Sequence, residues 1–128
     1  CNGVLMENQN KYSKIKLSYT CPFNMIDDLI GGKWKLRIVS HIINGDNRFS
    51  MLEKSINDIS AKVLMSQLKE LEASGLIIRK VLKEEPPKIV VYEINSDYKA
   101  LEPLVLDLQQ FAVTYATKNK IKICNDIN

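Results

Sequence analysis

RFSMLEKSINDISAKVLMSQLKELEASGLIIRK, residues 48–80, is the stretch of sequence that decides the fold. Ser50 and Glu53 match the S-x-x-E capping box, in which a hydroxyl and a carboxylate satisfy free amides at a helix start. A turn follows, and Ser60 can cap a second helix. That helix has leucines at helical spacing and ends near Gly75, which can adopt a left-handed conformation. The stretch therefore predicts two short helices joined by a tight turn, the helix-turn-helix layout.

Two more helices are expected before this pair. The first begins at Pro22 with Cys21 at its N-cap, because proline is favoured at the first helical position, and it ends at a Gly-Gly pair. The second starts at about Lys33 and carries an apolar stripe that includes Trp34. We interpret Trp34 as a core residue. His41, on the same helix, has no Cys or His partner at ligand spacing and is interpreted as structural.

A β-hairpin and a last helix are expected after the pair. The runs 76–82 and 89–94 are rich in β-branched residues and flank two prolines, a pattern typical of two antiparallel strands. The Asn-Ser-Asp triplet at 95–97 is expected to cap the last helix, and Pro103 to bend it or mark a late start. The fold class is thus mainly α with a small antiparallel β-hairpin, a winged helix-turn-helix with extra N- and C-terminal helices.

The composition is ordinary for a soluble globular protein, with 45% hydrophobic and 26% charged residues in 128. We expect one domain at 21–117, preceded by a mobile arm at 1–20 and followed by a polar tail at 118–128. The net charge of +3 permits a nucleic-acid partner without demanding one. No signal-peptide pattern and no apolar stretch of membrane-spanning length is visible, so a cytoplasmic protein without a membrane partner is expected.

Catalysis and metal binding find little support in the sequence. Three cysteines and one histidine show no metal-ligand spacing, so we expect no metal and no cofactor. We also expect no paired histidine and carboxylate, and we find no nucleophile motif, which makes an enzyme the weakest interpretation. Sparse thiols favour a reducing compartment over a disulfide scaffold.

Taken in this order, the residues resemble the HxlR family of bacterial regulators, which are relatives of the MarR-like winged-helix repressors. The resemblance runs from about Cys21 to Phe111 and implies a dimeric transcriptional regulator with one winged helix-turn-helix per subunit. The chain departs from the family pattern at Ile94-Asn95, at Tyr98 and at Phe111, which concern the capping and packing of the last helix. The matching elements are Cys21-Pro22, Gly31-Gly32-Lys33-Trp34, Arg48-Phe49-Ser50, Ile59-Ser60, Leu64, Leu68, Leu71-Glu72, Gly75-Leu76-Ile77, Arg79, Pro86-Pro87 and Tyr92.

The helix face opposite the leucines is the candidate DNA-reading surface. Lysines there can contact phosphates, and side chains near the helix N-terminus can reach base edges. The alternative for this helix is a solvated face without a partner. The hairpin can likewise contact the DNA backbone, or it can serve only to complete the fold. Arg48 can contact a phosphate or form a structural ion pair with Glu53 or another acid. The candidate DNA-binding residues are Arg48, Ser60, Lys62, Met65, Ser66, Lys69, Arg79, Lys83 and Lys88.

Two further hypotheses concern regulation and assembly. Cys21 is a candidate sensor of oxidants or electrophiles, because free amides at a helix N-terminus favour thiolate; the alternative is a small, unreactive side chain. The apolar stripes of the first and last helices exceed what the central unit can cover, which favours a C2 homodimer. The candidate interface residues are Met25, Ile26, Leu101, Leu104, Val105, Leu108, Phe111, Ala112 and Tyr115.

The predicted function is a sequence-specific DNA-binding transcriptional regulator. We expect a dimeric repressor that binds double-stranded DNA at a pseudo-palindromic operator, and the family resemblance allows an oxidant or a small molecule as effector. A winged-helix module that binds proteins and never DNA is the alternative. The two differ in whether the lysines of the reading surface share an open positive surface with the hairpin or are covered.

Overall fold

The computed structural model describes residues 13–123. Within that range the chain forms five α-helices, one short 3-10 helix and a two-stranded antiparallel hairpin, which match the predicted winged helix-turn-helix. None of these helices is long and apolar enough to cross a membrane. The elements in chain order are α1 (Pro22–Ile30), α2 (Lys35–Ile43), α3 (Phe49–Ser55), α4 (Ala61–Ala73), β1 (Ile77–Lys83), β2 (Ile89–Ile94), the 3-10 helix (Ser96–Tyr98) and α5 (Leu101–Lys118).

The core is built around α2, which contacts α3, α5 and β2. Complete burial of one large aliphatic side chain stabilises the fold by about 1.5–3 kcal/mol. Ile56 and Ile59 are buried in the turn between α3 and α4, so the core fixes the path of this turn. The largest fully buried side chains are Ile38, Val39, Leu52, Ile56, Leu64, Leu68, Leu71 and Ile77.

The ends of α4 are where the sequence predicts them. The Ser60 hydroxyl accepts a hydrogen bond from the Val63 N–H at 3.1 Å. At the other end, Gly75 has a φ of +86°, a left-handed conformation that suits glycine. The Leu76 N–H then donates to the Leu71 carbonyl at 3.2 Å, which satisfies a terminal carbonyl of the helix. Both the predicted cap and the predicted stop of α4 are confirmed.

The predicted capping box at the start of α3 is wrong. The N-cap residue is Arg48, which has an extended backbone and makes no side-chain cap. Ser50 lies inside the first turn, so its hydroxyl is not in the N-cap position. Phe49 packs against the core as the first residue of α3, and the Leu52 N–H donates to the Arg48 carbonyl at 3.0 Å. Because Phe49 packs against the core, α3 begins at Phe49, before the position that the capping pattern predicts.

The predicted cap of the last helix is also wrong. The Asn95 side chain accepts from the Asp97 N–H at 3.0 Å and caps the 3-10 helix Ser96–Tyr98 instead. Its amide group also donates to the Gly75 carbonyl at 2.8 Å, which ties this segment to the end of α4. α5 begins only at Leu101, without a side-chain cap. The proline in its first turn therefore marks a late start, because a missing N–H is tolerated there.

The hairpin is anchored at its base and irregular toward its tip. Ile77 pairs with Ile94, and the register shifts between Val81 and Lys83. The Tyr92 N–H donates to the Asn47 carbonyl at 2.8 Å, so the loop before α3 supports β2. The base of the hairpin is thereby fixed relative to the paired helices.

A buried ion pair joins α2 to α4. Lys35 is only 5% exposed, and its ammonium lies 2.8 Å from the Glu70 carboxylate. Lys14 approaches the same carboxylate oxygen at 3.6 Å. Removal of one partner from a buried pair leaves a charge without compensation, which destabilises a fold strongly. Glu70 therefore holds α4 from the side that faces the protein.

The segment before α1 is linked to that helix by a tyrosine. The Tyr19 hydroxyl donates to the Asp28 carboxylate at 2.6 Å and accepts from the Lys16 N–H at 3.0 Å. Partial burial and the hydrogen bond to Asp28 raise the pKa of Tyr19. The division into an arm at 1–20, a domain at 21–117 and a tail at 118–128 stays a prediction, and its outermost parts lie outside the described residues.

A histidine–carboxylate pair exists, contrary to the expectation from the sequence. His41 Nδ1 lies 3.0 Å from an Asp46 carboxylate oxygen, and the Asp46 N–H donates to the His41 carbonyl at 2.9 Å. The His41 side chain is almost completely buried, so it cannot reach a substrate in solution. The pair fastens the turn after α2, which fits the predicted structural role of His41.

Candidate nucleic-acid interface

One side of α4 is anchored in the core and the other is open to solvent. Leu64, Leu68 and Leu71 are buried, as their helical spacing requires. The opposite side chains are all exposed. We call this set the reading face; its members are Lys62, Met65, Ser66 and Lys69. A helix held in this way presents two cations, one hydroxyl and one thioether to whatever approaches it.

The reading face continues onto the hairpin. A cleft of about 480 Å³ separates α4 from the strands. Met65 and Lys69 line it on one side and Arg79 on the other. Tyr92, which is opposite Arg79 in the strand register, contributes a largely buried aromatic wall. The structure thus brings Arg79 together with the reading face on a single surface.

The hairpin tip carries both signs of charge. Lys83 and Lys88 are exposed, as a contact with phosphate would require. The Lys88 ammonium, however, lies 3.9 Å from the Glu84 carboxylate, so part of its charge is compensated. Lys80 is likewise paired with Glu93 at 2.9 Å. The positive charge of the hairpin is therefore partly compensated within the subunit.

Arg48 and Ser60 lie at the starts of the two paired helices. Arg48 is exposed, and within residues 13–123 no ion pair joins it to Glu53. Among the described residues no acid forms an ion pair with Arg48, and its contact with phosphate stays a prediction. Ser60 is exposed but already uses its hydroxyl to cap α4.

A basic cluster at the start of α2 is not predicted from the sequence. The Lys33 ammonium and the Arg37 guanidinium lie 4.7 and 5.3 Å from the centre of the Trp34 ring. Arg37 also donates to the Asp58 carboxylate at 3.2 Å, and this hydrogen bond holds the pKa of Asp58 below its usual range. The i, i+4 spacing of Lys33 and Arg37 around a tryptophan is the signal that could reveal the cluster.

Cys21 is the N-cap residue of α1, where the sequence predicts it. Its side chain is half-buried and makes no capping hydrogen bond, while its carbonyl accepts from the Asn24 N–H at 3.1 Å. The first and third cysteines lie outside the described residues. No group of three or more metal-ligating side chains occurs in the described part of the chain.

α1 and α5 leave a large apolar surface open in the single subunit. On α5, Phe111 is 68% and Leu104 is 58% exposed, and Leu108, Ala112 and Tyr115 are exposed as well. On α1, Met25 and Ile26 are exposed. Phe23, which the sequence pattern does not single out, is the most exposed of these side chains at 80%. We call this set the apolar surface.

Two members of the candidate interface lie elsewhere. Val105 is 4% exposed and packs in the core of its own subunit, because it faces α2 and not solvent. Leu101 is partly buried against the same core. These two residues therefore attach α5 to the domain, and the apolar surface is formed by the remaining ones.

Comparison with known proteins agrees with this geometry. The model of the HxlR-like helix-turn-helix family matches residues 29–120. The HTH-type transcriptional regulator YkvN of Bacillus subtilis is 39% identical over 98 residues, which cover 77% of this chain and 82% of that protein.

Two solved structures have the same fold. The HTH-type transcriptional regulator YtcD is 35% identical with a TM-score of 0.68, and the match covers 77% of this chain and 99% of that one. The redox regulator HypR in its oxidized form is 35% identical with a TM-score of 0.67, over 73% and 96% of the two chains. Sequence, fold and site geometry therefore agree that this chain is a transcriptional regulator that belongs to the HxlR-like helix-turn-helix family.

Proposed function

We propose that the chain binds double-stranded DNA in a sequence-specific manner and represses transcription as a dimer. The observation that carries this proposal is the division of α4 into buried leucines and an exposed reading face that shares a cleft with Arg79. An α-helix anchored from behind can enter a major groove with its outer side chains directed at base edges. A regulator of this kind works in the cytoplasm, where it meets the chromosome.

The proposed contacts of the reading face differ in how strongly they should make DNA affinity depend on salt concentration. Lys62 and Lys69 would neutralise phosphates, whereas Ser66 would contact base edges. Replacement of both lysines by alanine should lower the slope of log K against log salt by about 1.8, because each lost phosphate contact removes about 0.9. Fluorescence anisotropy with DNA from upstream of the protein's own gene measures this slope. An unchanged slope and affinity would count against the reading face, whereas a wild type that binds no DNA would favour the protein-interaction alternative.

The apolar surface supports a twofold homodimer. Large apolar side chains left exposed on a subunit favour an interaction site, and a C2 axis would present two α4 helices to half-sites about one helical turn apart, roughly 34 Å. Analytical ultracentrifugation should find a dimer for the wild type and a monomer for Phe111→Asp with Leu104→Asp. Because both side chains are exposed in the subunit, these variants should still fold. A wild type that is monomeric at micromolar concentration contradicts the proposal.

Cys21 supports a second, regulatory function in which an oxidant or electrophile releases the operator. It is a half-buried thiol at a helix N-terminus, and a relative of the same fold is a redox regulator. Operator binding should be measured before and after treatment with diamide, in the wild type and in Cys21→Ser. Loss of binding only in the wild type is expected. Equal insensitivity of both proteins would remove the sensor function and leave DNA binding intact.

A further inference from the structure

The basic cluster at the start of α2 lies next to the turn that leads into α4. Asp58, which accepts from Arg37 at 3.2 Å, precedes the N-cap residue of α4 by two positions. Lys33 is close enough to Asp58 to contribute to its lowered pKa. Arg37 of α2 and Lys33, two residues before α2, therefore lie beside the end of α4 that leads into the reading face.

We propose that Lys33 and Arg37 bind the phosphate backbone of the DNA duplex beside the half-site that α4 reads. This inference rests on the proposed DNA-binding function and adds α2 to its surface. In helix-turn-helix complexes the N-terminal part of the recognition helix contacts base edges, so groups beside that end lie near the edge of the same groove. Lys33 is exposed and Arg37 is partly exposed, and the occupant that matches two cations at that place is a phosphate.

The cluster is held in position before any partner arrives. The Trp34 ring packs partly against the core and supports both cations. The turn that carries Asp58 is fixed by the buried Ile56 and Ile59. Cations stacked on an aromatic ring lose less side-chain freedom when they bind, which lowers the entropic cost of a phosphate contact.

Asp58 both positions Arg37 and opposes the binding of a phosphate. Its exposed carboxylate accepts a hydrogen bond from Arg37 at 3.2 Å, and a phosphate would compete with it for the same guanidinium. A carboxylate beside the duplex also repels the backbone. Asp58 therefore weakens DNA binding while it keeps Arg37 in place.

The test compares the salt dependence of matched single-charge variants. Lys33→Ala should bind the upstream DNA about threefold to tenfold more weakly, with a salt slope lower by about 0.9. Discrimination between this DNA and a scrambled duplex of equal length should be unchanged, because phosphate contacts carry no base information. Lys118→Ala, which removes the same charge from the end of α5, is the control. Lys33→Arg should restore affinity and slope.

Removal of the acid should have the opposite effect. Asp58→Asn should bind about threefold more tightly than the wild type, because repulsion and competition for Arg37 are both lost. Asp107→Asn, on the exposed side of α5, controls for net charge and should leave affinity unchanged. Thermal unfolding checks that all variants are folded.

The outcomes separate this inference from the proposed function. A Lys33→Ala variant that matches Lys118→Ala in affinity and slope would overturn the role of α2 while the wild type still binds. A variant that loses discrimination without a change in slope would overturn it as well. An Asp58→Asn variant equal to Asp107→Asn would overturn the competition with phosphate. A wild type that binds no upstream DNA would overturn the proposed function itself, independently of the variants.

Discussion

α4 and α5 both carry apolar side chains at helical spacing, yet these side chains are buried in α4 and mostly exposed in α5. In α4 the three leucines are buried in the subunit and the polar side faces solvent. In α5 most of the stripe is exposed, and Val105 is the member that is buried in the core. Helical spacing thus identifies the apolar side of a helix but not the surface that covers it. The difference is between a helix whose apolar side is covered within the subunit and a helix whose apolar side is mostly left open to solvent.

The largest expected effect tests this difference in burial directly. Leu68→Ala removes a fully buried side chain and should destabilise the fold by about 3–5 kcal/mol at every protein concentration. Leu104→Ala should change the stability of the isolated subunit by less than about 0.5 kcal/mol. Its loss should appear only at concentrations where the wild type is associated. Urea unfolding at two protein concentrations measures both effects, and equal losses in both variants would refute the comparison.

The second effect concerns ion pairs that hold the two helices. Lys35→Met leaves the Glu70 carboxylate without its 2.8 Å partner and should cost about 2–4 kcal/mol, because the pair is largely buried. Lys99→Met breaks the exposed pair with Glu102 at the start of α5 and should cost less than about 0.5 kcal/mol. Thermal unfolding of the two variants gives the ranking. A Lys35→Met protein as stable as the wild type would mean that the pair does not hold α4.

The third effect compares the helix starts. Ser60→Ala removes the side-chain cap of α4 and should cost about 1 kcal/mol. Ala100→Ser should bring no matching gain at the start of α5, because Ala100 has a helical backbone (φ −60°, ψ −19°) and not the extended one that a capping hydroxyl needs. Chemical unfolding of both variants measures these differences. A clear stabilisation by Ala100→Ser would contradict the late start of α5.

The smallest effect is a titration at the turn before α4. The Arg37 hydrogen bond lowers the pKa of Asp58, so its NMR titration midpoint should lie below the usual value of about 3.9. The sign follows: this carboxylate stabilises the fold above its ordinary pKa, and the contribution is lost as pH falls through the lowered pKa. Arg37→Gln should return the midpoint toward 3.9. An unshifted midpoint in the wild type would show that the two side chains are not paired in solution.

Local chemistry explains which parts of the fold could be predicted from the sequence. Ser60 and Gly75 act within a few residues of their own positions, so the cap and stop of α4 follow from the chain alone. Ser50 and Asn95 show where such local patterns fail, because neither residue caps the helix that its sequence pattern predicts. Phe49 packs on the core and shifts the start of α3. The Asn95 side chain donates a hydrogen bond to the carbonyl of Gly75, 20 positions earlier. Competition from tertiary contacts cannot be inferred from a four-residue pattern.

Long-range charge pairs explain most of what the sequence does not reveal at the candidate site. Lys35 and Glu70 are 35 positions apart, and Arg37 and Asp58 are 21 apart. No periodicity connects such partners, since the fold alone brings them together. The outward direction of Lys62 and Lys69 could be predicted because it needs only the leucine spacing of one helix.

The anchoring of α4 by its leucines and by Glu70 has a consequence for how such regulators diversify. The buried side of α4 stabilises the fold, so substitutions on its exposed side should change the free energy of unfolding little. Under the proposed function, duplicated copies of one gene could acquire new DNA targets by a few exchanges on the exposed side of α4, while the buried scaffold stays the same.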